Sequence, residues 1–132
     1  MQSEATLEEL VSQLASSSVA FGTDNPVNAE LGPALEDALA EANLDPAGMI
    51  VLEQTPPVLA DLRDLAQDAA AETGLDTVLV RTPQVAVGVS DSLNRAQVER
   101  GERAMAAEPD YVAGVHAFAD AANLFSVNWP LV

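Results

Sequence analysis

Two short apolar segments constrain the fold of this chain more than any other feature. Residues 49–52 (MIVL) and 77–80 (TVLV) are each bounded by turn residues, as is typical of central strands buried on both faces of a sheet. Between them, residues 58–72 carry apolar side chains at helical spacing, and Gly74 follows where a helix commonly ends. Strand, helix and strand in this order predict a parallel pair joined by a right-handed crossover.

Two further segments extend the predicted sheet. Residues 19–21 form a short apolar run closed by Gly22, which favours an edge strand. Residues 85–89 alternate valine with small residues, and only Thr82-Pro83-Gln84 separates them from the preceding strand. So short a connection predicts a hairpin with antiparallel strands. The sheet is therefore predicted to be mixed, with about four strands.

Amphipathic helices are predicted to cover this sheet. The first opens at Thr6, whose side chain and that of Glu9 suit a reciprocal capping box. The later helices are expected over residues 27–42, over residues 58–72, over residues 93–107 behind the cap Ser90-Asp91-Ser92, and from Pro109 onward.

The composition agrees with one folded domain. A chain of 132 residues that is 48% hydrophobic can bury a core without disulfides or metals. Only 4% of the residues are aromatic, so Val, Leu, Ile and Ala must build that core. The predicted fold class is α/β, a three-layer α/β/α sandwich with about five helices. One domain is expected over residues 1–125, followed by an apolar juxtamembrane-like tail over residues 126–132.

The charge is strongly acidic. Twenty-one acidic residues face five arginines, there is no lysine, and the net charge is −16. Such a surface repels phosphate backbones and anionic lipid headgroups, so no nucleic-acid partner is expected. The acids are interpreted as a solvated helix exterior, with cationic partners or divalent ions as the alternative.

Several chemistries and targeting signals are absent from the sequence. Cysteine does not occur, which excludes disulfides, thiolate metal sites and cysteine nucleophiles. The first ten residues carry acids where a secretory signal peptide needs a basic and then an apolar region. No stretch of ~18 apolar residues is present, so any membrane anchor is expected outside this sequence.

Glu53 and Asp91 are the candidate metal ligands. Both follow predicted strands, and open α/β sheets bind ligands at the carboxyl ends of their strands. Two carboxylates, with hydroxyls from Thr55 and Ser90, would suit Ca²⁺ or Mg²⁺; apart from such an ion, no cofactor is expected. The alternative is that Asp91 caps a helix and Glu53 is solvated. Antiparallel pairing of the last strand also opposes a shared site, because it sends Asp91 to the other end of the sheet.

Other charged residues are interpreted structurally. His116 is the only histidine, and its apolar neighbours at helical spacing favour a packed, hydrogen-bonded side chain, so no Ser–His–Asp triad is assigned. Three further acids share one face of the third helix and are expected to be solvated, namely Asp61, Asp64 and Asp68. Three arginines lie on the fourth helix and are expected to form local ion pairs, with an anion site as the alternative, namely Arg95, Arg100 and Arg103.

The last nine residues, 124–132, are apolar and contain the sole tryptophan, Trp129. Two interpretations stay open for them. The segment docks on the sheet, or it begins a membrane segment, since tryptophan is favoured at bilayer interfaces.

Three stretches of the sequence are similar to one known family. Residues 76–91 (DTVLVRTPQVAVGVSD) resemble the paired core strands of TPM domains, and residues 108–114 (EPDYVAG) resemble the start of their last helix. Within that superfamily the chain is most similar to a small actinobacterial membrane-protein group, often encoded beside cell-wall hydrolases of the NlpC/P60 type. Residues 52–57 (LEQTPP) match the strand-to-loop junction of that group.

The resemblance implies a TPM-like α/β/α domain displayed outside the cytoplasmic membrane and held there by a C-terminal transmembrane helix. Some TPM domains are described as phosphatases or metal binders, and others as assembly or receptor accessories. The acidic glycine-leucine-glutamate element that usually follows the paired strands is replaced here by Ser90-Asp91-Ser92-Leu93. This departure weighs against inherited metal binding or phosphatase activity.

Two functions are therefore predicted. The favoured one is a non-enzymatic extracytoplasmic interaction domain of a membrane-anchored protein, which recruits or regulates another envelope protein such as a peptidoglycan hydrolase. The alternative is a divalent-metal-binding domain with phosphatase activity that uses Glu53 and Asp91. No catalytic residue is assigned for the favoured function.

Overall fold

The computed structural model describes residues 6–42, 44 and 46–126 of the chain. Within them lies a four-stranded sheet of β1 (Val19–Phe21), β2 (Ala47–Val51), β3 (Thr77–Arg81) and β4 (Ala86–Ser90), in that spatial order. β1, β2 and β3 run parallel, and β4 runs antiparallel to β3. The predicted mixed sheet, its parallel central pair and its hairpin are confirmed.

Five helices surround the sheet among the described residues: α1 (Leu7–Leu14), α2 (Asn28–Glu41), α3 (Leu59–Thr73), α4 (Arg95–Ala106) and α5 (Tyr111–Ser126). The capping box predicted at the start of α1 is present, since Thr6 Oγ1 accepts the amide of Glu9 and the Glu9 carboxylate accepts the amide of Thr6. Gly74 ends α3 with a φ of 76°, a left-handed conformation that favours glycine.

The predicted start of α4 is wrong. Asn94 caps this helix, rather than Ser90-Asp91-Ser92, because its side chain accepts the amide of Gln97 while the Gln97 side chain accepts the amide of Asn94. This reciprocal pair satisfies two amides at once. Ser90 is instead the last residue of β4, and its hydroxyl accepts the amide of Leu93 at 3.1 Å.

The core is divided by the sheet into two halves. Residues that alternate along β2 and β3 face opposite sides, so Met49 and Leu79 pack with α2 and α5 while Ile50 and Val78 pack with α1 and α3. α4 packs mainly on α5 and β4. Helices on both faces give the three-layer α/β/α sandwich that was predicted.

Both edges of the sheet are capped by side chains. At β1 the side chain of Gln13 takes the place of a neighbouring strand, because its Nε2 donates to the carbonyl of Phe21 and its Oε1 accepts the N–H of Phe21. Ser17 Oγ accepts the backbone amide of Val19. At β4 the Glu102 carboxylate accepts the amide of Gly88 at 2.8 Å. Such caps reduce the tendency of edge strands to pair with another chain.

Candidate interaction site

The carboxyl ends of the three parallel strands lie together at one end of the sheet. We call this end the exit edge; it is distinct from the edge strands β1 and β4. The chain leaves β1 at Gly22, β2 at Leu52 and β3 at Thr82, and the amide of Gly22 still bonds the carbonyl of Val51 there. In open α/β sheets, ligands bind at this edge, where the connecting loops diverge. The candidate site is built here.

Glu53 lies at the exit edge and is held in a fixed position. The side-chain amide of Asn25 donates to its Oε2 at 2.7 Å. Hydrogen bonds from Asn25 and Thr23 hold the pKa of Glu53 below its usual value, so the carboxylate is ionised at neutral pH. Asn25 also accepts the amide of Val27 at 3.1 Å, and it therefore ties Glu53 to the start of α2.

Asp91 lies at the end of the sheet opposite the exit edge. Because β4 runs antiparallel, Asp91 follows it beside the start of β3, where its amide donates to the carbonyl of Asp76 at 3.0 Å. The two hydroxyls predicted to assist are separated in the same way, since Thr55 bonds Thr82 and Ser90 bonds Thr77. The structure therefore does not bring Glu53 and Asp91 together.

The described part of the chain contains no group of three or more histidine and acidic side chains arranged to hold a metal ion. The alternative function, a metal-dependent phosphatase, needs Glu53 and Asp91 over one crevice. The observed geometry gives that arrangement no support.

One crevice of the exit edge, which we call the aromatic crevice, has a volume of about 350 Å³. Its apolar wall consists of Phe21, Val27, Leu31, Val51, Leu52, Pro83 and the ring of Tyr111. Glu53, Thr23 and Asn28 add polar groups. An apolar cavity with a few fixed polar groups is the usual form of a binding site.

A second crevice, the proline crevice, lies beside α3 and has a volume of about 420 Å³. Its lining includes Pro56, Pro57, Leu62 and Leu65, with Asp61 at the rim. The large apolar residues that are exposed in the described part of the chain belong to the same edge, since Val27 precedes α2 while Val58 and Leu59 lie at the start of α3. Each of these three is roughly half exposed.

Arg81 is the residue of this region that sequence analysis missed. It ends β3 with only 3% of its surface exposed. Its guanidinium donates to the carbonyl oxygens of Thr82, Val85 and Glu108, and it stacks over Tyr111 at 4.8 Å from the ring centroid. Its Nε is buried without a hydrogen-bond partner among the described residues. Arg81 thereby fixes the β3–β4 loop and the ring of Tyr111, which are one wall of the aromatic crevice.

The sequence did contain a signal for Arg81. Position 81 continues the in-and-out alternation of residues 77–80, and its side chain shares the face of Leu79. A charged residue at such a position is unusual and predicts a satisfied internal cation.

The remaining predicted residues lie outside the two crevices or at their rims. His116 is not packed as predicted, because its side chain is half-exposed and faces Glu41 of α2 at 3.5 Å. Arg95 forms the local ion pair that was predicted, with Glu99 at 3.2 Å. Asp61, Asp64 and Asp68 are exposed, as expected of a solvated face. Trp129 and residues 127–132 of the predicted tail lie outside the described residues.

Comparison with known proteins identifies one family. A family model described as "Membrane protein Rv1476" matches residues 3–132, nearly the whole chain. Comparisons with curated proteins and with solved structures give no significant match. In the described part of the chain, no helix has both the length and the apolar composition required to cross a bilayer.

Proposed function

Because the chain belongs to the Rv1476 family of membrane proteins, we propose that it is a non-enzymatic interaction domain that recruits or regulates a second protein at the cell envelope. The domain lies on the extracytoplasmic side in this proposal, held by a C-terminal anchor. Its partner is another envelope protein, of which a peptidoglycan hydrolase is the leading class. The resemblance of residues 76–91 and 108–114 to TPM domains motivates these finer points.

The observation that carries the proposal is the apolar character of the exit edge. Val27, Val58 and Leu59 are large apolar residues left half exposed beside two crevices. Acidic residues border them, including Glu53 and Asp61. An apolar centre with a polar rim is the usual arrangement of a protein–protein interface.

The capped edge strands favour docking on the exit edge over the addition of a partner strand to the sheet. A partner that added a strand to β1 or β4 would have to displace Gln13 from Phe21 or Glu102 from Gly88. Docking on the exit edge displaces none of these bonds. The aromatic crevice is also held in shape by Asn25 and Arg81, which lowers the entropic cost of binding.

The proposal is tested with the full-length protein in its native membrane. Proteins cross-linked to the wild type are identified by mass spectrometry and compared with those captured by Val27→Asp and Leu59→Asp. A charge placed in the apolar centre of an interface should lower recovery of a specific partner about tenfold or more. Ala71→Asp is the matched control, since it adds the same charge to an exposed position of α3 that borders a cavity at the opposite edge.

Equal recovery of the partner with all three variants would contradict docking at the exit edge. Loss of the partner with Ala71→Asp as well would attribute the effect to charge or stability rather than to this surface. Folding of each variant is checked by circular dichroism before the comparison.

A further inference from the structure

We propose that the aromatic crevice binds one basic side chain of the partner, a lysine or an arginine, whose apolar stem fills the crevice and whose cationic head pairs with Glu53. This inference rests on the proposed function and names the chemistry that the partner must present. It concerns a protein side chain rather than a free amine or a metal ion, because the crevice combines a long apolar wall with a single fixed carboxylate.

The carboxylate of Glu53 lines the crevice and is ionised. Asn25 donates to its Oε2 at 2.7 Å and fixes it at the mouth of the crevice. Its pKa is held low by this bond and by one from Thr23, so the group is charged without further rearrangement. A positioned carboxylate binds a cation with less loss of side-chain entropy than a mobile one.

The walls of the crevice suit the stem of such a side chain. Lysine and arginine bury their methylene chains along apolar surface while the charged head stays near water. Phe21, Leu31 and Val51 offer that surface, within a volume of about 350 Å³. This volume is at the lower end of the range for ligand sites and fits one long side chain rather than a folded segment.

Positive charges near the crevice oppose the inference and must be weighed. The guanidinium of Arg81 stacks on the ring of Tyr111. Its N–H groups donate to the carbonyl oxygens of three residues, whose dipoles compensate the positive charge locally. The N-terminus of α2 adds a partial positive charge, which Glu30 offsets in the first turn. The net charge of −16 adds a long-range attraction for a basic partner.

An anionic ligand for Arg81 is the competing interpretation. It fails because both terminal nitrogens of Arg81 already donate to carbonyls, and the remaining Nε is enclosed. An anion would also approach the ionised Glu53 at the mouth of the crevice. The charges at this crevice therefore select a cation.

The probe is the tripeptide acetyl-Ala-Lys-Ala-amide, titrated into the ¹⁵N-labelled protein and followed by NMR. Its arginine analogue and its norleucine analogue are titrated in parallel, since norleucine has the stem without the charge. The Lys and Arg peptides should shift the amides of Phe21, Glu53 and Tyr111. They should bind about fivefold more tightly than the norleucine peptide, the effect of one well-placed charge pair.

Two variants locate the effect. Glu53→Gln should lower the affinity for the Lys peptide about fivefold, to that of the norleucine peptide. Glu72→Gln, which makes the same chemical change at an exposed position of α3, should leave the affinity within twofold. Equal binding of the Lys and norleucine peptides, or equal losses in both variants, would overturn the inference.

Failure here is distinguishable from failure of the proposed function. If partner capture depends on Val27 and Leu59 while the peptides do not discriminate charge, docking stands and the basic anchor is overturned. If the peptides follow Glu53 while Val27→Asp and Leu59→Asp capture the partner normally, the cation site stands and the docking surface is overturned.

Discussion

At the scale of single residues, Arg81 is the least expected group in the molecule. In a chain with 21 acids, its buried cation is held by carbonyl oxygens and an aromatic ring, and no carboxylate pairs with it in the described part of the chain. Carbonyl dipoles and a stacked ring suit the planar, weakly hydrated guanidinium better than a lysine ammonium. The three carbonyls belong to residues 82, 85 and 108, so Arg81 joins the hairpin loop to the segment before α5.

We expect Arg81→Met to destabilise the protein by about 2–4 kcal/mol, since it leaves one buried and two part-buried carbonyls without their donor and removes the stacking on Tyr111. The measurement is urea unfolding followed by circular dichroism. Arg95→Met is the matched control and should change stability by less than about 0.5 kcal/mol, because Arg95 forms an ion pair while its side chain is 81% exposed. A loss below about 0.5 kcal/mol for Arg81→Met would contradict the structural role given to Arg81.

At the scale of elements, the close contact of α4 with α5 depends on one glycine. A Cβ placed on Gly101 would lie 2.6–2.9 Å from three ring atoms of Phe118. Phe118 is fully buried, so its ring has no free space to move into. Helix α4 can therefore approach α5 this closely only because position 101 lacks a side chain. The sequence of α4 is more polar than that of the other described helices, and this close contact with α5 holds α4 in place.

Gly101→Ala should therefore destabilise the fold by about 1–3 kcal/mol, although alanine is the better helix former, because overpacking outweighs propensity. Gly32→Ala in α2 is the matched control, since its added Cβ would meet Phe21 at an ordinary 3.4 Å. Pro33 follows Gly32 and its ring disfavours a Cβ on the preceding helical residue, so the control should lose up to about 1 kcal/mol, less than Gly101→Ala loses. Thermal and urea unfolding of both variants test the pair, and equal effects would contradict the packing argument.

At the scale of the whole molecule, charge and topology act together. Within the described residues both edge strands are capped and the large exposed apolar side chains lie at the exit edge, while the net charge of the chain is −16. A net charge of −16 places mutual repulsion on the folded state. The ion pairs Arg63–Glu102, Arg95–Glu99 and His116–Glu41 each involve at least one exposed side chain and offset little of this repulsion.

Added salt should therefore stabilise the protein. We expect the free energy of unfolding in urea to rise by on the order of 1 kcal/mol between 20 mM and 500 mM NaCl, since screening weakens repulsion among exposed acids. Stability that is flat or falls with NaCl would contradict this view. CaCl₂ at matched ionic strength is a second arm, and a larger rise with Ca²⁺ than with Na⁺ would indicate a bound cation and restore the metal-site hypothesis.

Local sequence patterns were sufficient to predict the elements and most of their pairing. Apolar runs, helical spacing and turn residues are local signals, and they predicted the central parallel strands, the hairpin of β3 and β4, and the α/β/α layers. Local chemistry misled at α4, where the predicted cap Ser90-Asp91-Ser92 competed with Asn94. Both sites offer capping side chains, and only Asn94 has Gln97 three residues later to complete the reciprocal pair.

Which side chains meet depends instead on the packing of the folded chain. The short connection after β3 already predicted the antiparallel β4 that separates Asp91 from Glu53, but no local pattern predicted which residue each acid contacts instead. Asn25 reaches Glu53 across 28 residues of sequence, and Arg81 reaches the Glu108 carbonyl across 27. Such contacts depend on how strands and helices pack in space, and no pattern within one segment records them. The exit edge and its crevices therefore became visible only in the folded molecule.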